Sequence, residues 1–89
     1  MIEKYFVEFF GTALFLYIIL ATGNPLAIGA SLALIILLAK DISGGHVNPA
    51  VTITMASAGK LPTSDVLPYV LAQVLGGLVA LEIYKRYKP

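Results

Sequence analysis

One polar stretch of this 89-residue sequence holds several side chains that could do chemistry together: Ser43-Gly44-Gly45-His46-Val47-Asn48-Pro49-Ala50-Val51-Thr52. The chemistry on offer there is hydrogen bonding rather than bond breaking. Asn48 is a good N-cap and Pro49 a good first helical residue, so a helix starts inside the stretch. Such a helix start presents unpaired N–H groups and roughly half an elementary positive charge. His46 has no second ligand nearby and reads as a loop-bracing or lining residue rather than a metal ligand. Gly44 and Gly45 are permissive turn residues. Away from the stretch, Glu8 and Gln73 are polar groups set in apolar runs. The absence of cysteine excludes disulfides and thiolate metal sites, and no cofactor is expected.

The stretch sits in a very apolar chain. Hydrophobic residues make up 58% and charged residues 12% of the sequence, against roughly a quarter charged in soluble domains. The charges cluster at Glu3, Lys4 and Glu8, at Lys40 and Asp41, at Lys60 and Asp65, and at Glu82, Lys85, Arg86 and Lys88. Between them lie runs long enough, or nearly so, to cross a hydrocarbon core. This is the pattern of a multi-pass integral membrane protein embedded in a lipid bilayer. A net charge of +1 leaves no basic face for nucleic acid. The first run is too long for a signal-peptide core and lacks a convincing cleavage site, so it belongs to the fold.

These runs define the elements that must position the loop. The reading is an all-α membrane protein forming one domain over residues 1–89, with three transmembrane helices plus one re-entrant loop and half-helix. Spans are expected at about 5–22, 25–40 and 65–84, since a crossing needs roughly 17 to 25 residues. Gly23-Asn24-Pro25 closes the first helix and opens the second. The second run is short for a span and crosses only if Pro25 starts it and Lys40 snorkels. The re-entrant loop occupies 41–48 and the half-helix 49–58, with Gly59 just past its end. Such a helix reaches roughly 15 Å, about half the hydrocarbon thickness. Irregular backbone at that depth should line something. Ser64 or Asp65 is expected to cap the last helix. Ala72, Gly76 and Ala80 recur on it at intervals of four, which lets helices approach closely.

Three spans place the termini on opposite sides. Lys4, Lys40 and Lys60 then face Lys85, Arg86 and Lys88 across the membrane. This balance gives no orientation bias. It leaves open both a single topology and insertion in both directions.

The loop and its flanks resemble the aquaporin and glycerol-facilitator family, the major intrinsic proteins. Glu8-Phe9-Phe10-Gly11-Thr12 looks like that family's first-helix motif. The stretch from Ser43 to Thr52 looks like its first pore loop. Tyr69-Val70-Leu71-Ala72-Gln73-Val74-Leu75-Gly76-Gly77 looks like its third helix. Family members carry two such halves as inverted repeats, each with an Asn-Pro-Ala loop, and this chain carries one. It resembles the first half, because the second has arginine after Asn-Pro-Ala where this chain has Val51.

The resemblance implies half of an aquaporin-like fold, with Asn48, Pro49 and Ala50 as the pore motif. Gly44, Gly45, His46 and Val47 would line or shape its loop. Glu8 would accept hydrogen bonds from the loop backbone, and its alternative is an interfacial carboxylate near a helix end. Gln73 would bond either the loop or a neighbouring helix. By the family's spacing, a narrow filter would receive Ile28 from one copy and Ile36 and Val51 from another. An aliphatic filter would pass water and small neutral solutes such as glycerol. Two inverted copies would rebuild a six-span pore, a homodimer with antiparallel insertion, clustered as a tetramer of pores in the family's manner. Two other readings stand beside this one. The first is a non-conducting or heteromeric half-subunit that pairs with another channel protein. The second is a small dual-topology exporter exchanging protons at Glu8. None of the three is an enzyme.

Overall fold

The computed structural model describes residues 1–87 and is helical throughout its regular elements. Lys88, one of the cations counted above, lies outside the described residues. Helix α1 spans Glu3–Thr22, α2 Pro25–Ala39, α3 Pro49–Ser57 and α4 Val66–Arg86, with a 3₁₀ turn at Thr63–Asp65 leading into α4.

Local chemistry sets the boundaries. Gly23 takes a left-handed conformation and returns its N–H to the Ile19 carbonyl at 3.0 Å, which ends α1. Asn24 then caps α2 twice, its Oδ1 accepting the Leu26 N–H at 2.9 Å and the Ala27 N–H at 3.1 Å. Pro25 fills the first helical position, where no donor is needed. At the end of α3, Gly59 N–H donates to Ala56 O at 3.1 Å and Lys60 N–H to Met55 O at 2.9 Å. This paired closure around a glycine C′ residue satisfies the last carbonyls of a short helix.

Asp65 stands at the N-cap position of α4, as expected, but its side chain makes no capping bond. Its carboxylate instead accepts from Lys4 Nζ at 2.6 Å and Tyr5 Oη at 2.7 Å. A nearly buried carboxylate gains more from a cation and a phenol than from one backbone N–H. The pair ties the α3–α4 connector to the start of α1.

Helices α1 and α4 run parallel and cross closely. Tyr5 stacks edge-on against Tyr69 at 5.9 Å near one end, and Gly77 faces Leu16 further along. At the crossing, a Cβ on Gly76 would collide with the Phe9 carbonyl oxygen and come within 3.2 Å of the Ala13 nitrogen. Ala80, one turn on, is fully buried. Helix α2 returns beside α1, with Ile35 behind Gly11.

Burial is inverted relative to a water-soluble domain. The buried polar residues Glu8, Thr12, Ser43, His46, Thr52, Asp65 and Gln73 outnumber the buried apolar ones, Ile35, Ala39, Val47, Tyr69 and Ala80. Large apolar side chains such as Phe6, Phe10, Leu37, Leu38 and Leu67 point outward. Contiguous apolar surface of this extent suits lipid as solvent. Two helices, Glu3–Thr22 and the Thr63–Arg86 segment, are long and apolar enough to cross a membrane, each at a mean hydropathy of 1.8. The apolar α2 is shorter, at 15 residues.

Candidate functional site

Five of the buried polar residues, Glu8, Ser43, His46, Thr52 and Gln73, form one connected network built around Glu8. Its side chain is fully buried, and its two oxygens accept four hydrogen bonds. Oε2 accepts from Ser43 Oγ at 2.7 Å and from the His46 N–H at 3.0 Å. Oε1 accepts from the Val47 N–H at 2.8 Å and from Gln73 Nε2 at 2.9 Å. A carboxylate has about four lone-pair sites, and here every one is engaged. Helix α1 thereby grips the loop, and α4 grips the same carboxylate through Gln73.

The grip fixes a demanding backbone. Gly44 and Gly45 have φ of +94° and +63°. A Cβ on Gly44 would lie 2.9 Å from His46 Nε2, and one on Gly45 would lie 3.1 Å from the Ile36 backbone. Both positions therefore need glycine on conformational and steric grounds. Val47 has φ +46° although it is β-branched, an uncommon conformation for such a residue. The carbonyls of Gly44, Gly45, His46 and Val47 accept no hydrogen bond from any described residue. They remain as a row of acceptors along the loop.

The loop delivers the chain to Asn48, the N-cap of α3. Asn48 Oδ1 accepts the Ala50 N–H at 2.8 Å. That bond occupies the amide oxygen and leaves the exposed Nδ2 as a donor at the positive end of the helix. Proline at the next position contributes no competing N–H. The half-helix is anchored from below by Thr52, one turn along and fully buried. Thr52 Oγ1 accepts from Gln73 Nε2 at 2.8 Å and shares a hydrogen with His46 Nδ1 at 2.9 Å. Tyr69 Oη donates to the Ser43 carbonyl at 2.7 Å, and its ring lies 5.2 Å from that of His46.

The structure thus brings Glu8, Gly44, Gly45, His46, Val47, Asn48 and Gln73 into one assembly. His46 is buried in the bracing layer, and no group of metal-binding side chains occurs among the described residues. Asn48, Pro49 and Ala50 form the tip. Ile36 backs Gly45, and Val51 stands exposed on α3 beside the tip. Ile28 lies eight residues before Ile36 on α2, roughly 12 Å away along the axis, and is not brought to the tip of the same chain.

Sequence reasoning gave no individual role to Ser43, Thr52, Tyr69 or Thr12. One signal was present for two of them. Glu8 and Thr12, and Tyr69 and Gln73, are pairs at i and i+4, which places each pair on one helix face. Polar residues repeating at that interval in apolar helices mark an inward polar stripe.

The family described as major intrinsic protein matches residues 1–88. The chain is 35% identical over 94 residues to "Glycerol uptake facilitator protein-like 6" of Lactiplantibacillus plantarum, covering 96% of the chain and 44% of that relative. It is 38% identical over 98 residues to "Aquaporin Z" of Brucella melitensis, covering 93% of the chain and 43% of the relative. It is 50% identical over 74 residues to "Aquaglyceroporin-2" of Rhizophagus irregularis, covering 78% and 23%. The chain spans less than half the length of these curated relatives. No solved structure gives a significant match.

Proposed function

The chain belongs to the major intrinsic protein family, and on that premise we propose that it forms one half of a passive transmembrane channel for water and small neutral solutes such as glycerol. The names of its relatives support this substrate class. The observation that carries the reading is the tip itself. A nine-residue helix begins directly after the buried loop, with its cap oxygen engaged and the exposed Asn48 amide nitrogen presented outward.

The physics follows from that geometry. The positive end of α3 repels cations, and Asn48 Nδ2 donates to the oxygen of a passing neutral molecule. The free loop carbonyls supply acceptors on the approach. Apolar walls compete weakly, so a single file passes without tight binding. In this reading α2 is the third crossing, the segment 41–58 dips in and returns, and Glu8 supports the loop from behind. Val51, Ile36 and Ile28 form an aliphatic filter that lacks a cationic barrier.

One half does not enclose a pore. A second, inverted half must bring its own Asn-Pro tip against this one, and an antiparallel copy of the same chain meets the requirement. The three-against-three charge balance permits both insertions. Full engagement of Glu8 by four donors supports bracing over proton exchange. The test is to map orientation by labelling single cysteines at Met1 and Glu82 in proteoliposomes while recording osmotic flux. The reading expects both topologies in comparable amounts, and flux that falls on Asn48→Ala. A uniform topology with undiminished flux would reject the antiparallel homodimer.

A further inference from the structure

Phe6 and Phe10 stand one turn apart on α1 and are 58% and 64% exposed, so they form an aromatic ridge on the outer face of the bundle. An apolar groove runs on each side of that ridge, and both residues line both grooves. The groove toward α2 holds about 380 Å³ and continues from Phe6 to Leu14, with Ile35 and Leu38 on its far wall. The groove toward α4 holds about 290 Å³ between the ridge, Phe9 and Leu75. The one polar side chain along either groove is Tyr5, and its hydroxyl is already given to Asp65.

These shapes suit two lipid chains better than one protein helix. Phe6 to Leu14 covers roughly 12 Å along the axis, close to the roughly 15 Å of hydrocarbon in one leaflet. A helix is a single cylinder about 10–12 Å across and seats in one groove at a time. A diacyl phospholipid carries two thin chains from one headgroup and can straddle the ridge. The mouth of the wider groove carries matching charges. Lys40 and Asp41 stand between the lining residues Ala39 and Ile42. Both are exposed, and neither side chain has an ion pair or hydrogen bond among the described residues. A cation beside an anion matches a headgroup that holds a phosphate and a protonated amine.

We propose that the Phe6–Phe10 ridge is a binding site for one diacyl phosphatidylethanolamine, with one chain in each groove. Its phosphate accepts from Lys40 Nζ, and its ammonium donates to the Asp41 carboxylate. The two chains clasp α1 against α2 on one side and against α4 on the other. Lipid bound in this way joins helices that the chain itself leaves separated by grooves.

The chain has no tryptophan, so Phe10→Trp places a single fluorophore on the ridge. The full chain in detergent is titrated with phosphatidylethanolamine brominated on its chains, with the brominated single-chain lyso form, and with brominated diacyl phosphatidylglycerol. Quenching by the diacyl phosphatidylethanolamine should saturate, at a mole fraction roughly tenfold or more below that of the lyso form, because one headgroup tethers the second chain. Val7→Phe fills the groove toward α2, and Ala72→Leu fills the groove toward α4. Each should abolish the diacyl preference and leave binding of the lyso form unchanged, since one groove stays open. Asp41→Asn, on the exposed surface, should erase the preference for phosphatidylethanolamine over phosphatidylglycerol without changing the thermal midpoint. Quenching that rises with lipid without saturating, or a diacyl preference that survives both fillings, overturns the site. Quenching that is lost as the protein self-associates would give the ridge to a second copy and equally overturn it.

Discussion

Glu8 Oε1 accepts the Val47 N–H at 2.8 Å, and Val47 is held at φ +46°. The left-handed conformation of a β-branched residue costs on the order of 1–3 kcal/mol and persists only where its surroundings over-determine it. Here the carboxylate also holds the preceding His46 N–H, so two successive amides converge on one side chain. Immediately after them the chain reaches Asn48. The carboxylate on α1 therefore decides where the tip of α3 points.

Glu8→Gln tests that dependence. It replaces one acceptor oxygen with an NH2 group facing donors, so about half of the four bonds become donor–donor clashes. The expected loss is on the order of 3 kcal/mol, read as a lower thermal midpoint by circular dichroism in detergent, with flux lost together with folding. Retained folding with lost transport would instead favour proton exchange at Glu8.

Thr52→Val removes the oxygen shared by His46 and Gln73 while preserving shape. The expected cost is about 1–3 kcal/mol, because two buried groups lose a partner. Thr52→Val and Gln73→Leu should be non-additive in a double-mutant cycle, with coupling of roughly 0.5 kcal/mol or more. Additive effects would separate the half-helix anchor from the α4 contact.

Gly76→Ala should force α1 and α4 apart, since its Cβ meets the Phe9 carbonyl oxygen on rigid backbone. A destabilisation of about 1–3 kcal/mol is expected. Gly77→Ala is the matched control: its Cβ meets only Leu16 at ordinary distance. It should be neutral or stabilising by up to about 1 kcal/mol, as alanine favours helix over glycine. Equal effects of the two would remove the close crossing.

Val51→Arg places a cation and five donors beside the tip. In the proposed channel it should cut glycerol uptake more than water uptake, measured by light scattering of vesicles under each gradient. Unchanged uptake of both would remove Val51 from the filter.

Much of this architecture was legible in the sequence, because each local rule agreed with the next. The Asn24-Pro25 and Asn48-Pro49 pairs announced helix starts, and Gly23 and Gly59 announced ends. The family resemblance pointed to Glu8 as a partner of the loop; Gln73 reaches the neighbouring helices instead, through Glu8 on α1 and Thr52 on α3. The bracing set was harder to read. Ser43, Thr52 and Tyr69 look like ordinary loop and helix residues until α1, α3 and α4 converge on them. The N-cap position of Asp65 was legible, but not the use of its side chain: only the tertiary approach of Lys4 and Tyr5 draws its carboxylate away from the helix end. The strain at Val47 has no sequence signal, since valine is a poor candidate for a left-handed position.

The most direct test of the central claim is stopped-flow swelling of liposomes that contain this chain alone, under water and glycerol gradients. The account predicts water permeability well above that of empty liposomes, lowered by Asn48→Ala in protein that still inserts and folds. Permeability equal to that of empty liposomes, with folded chain present in both orientations, would contradict a channel built from two copies of this half.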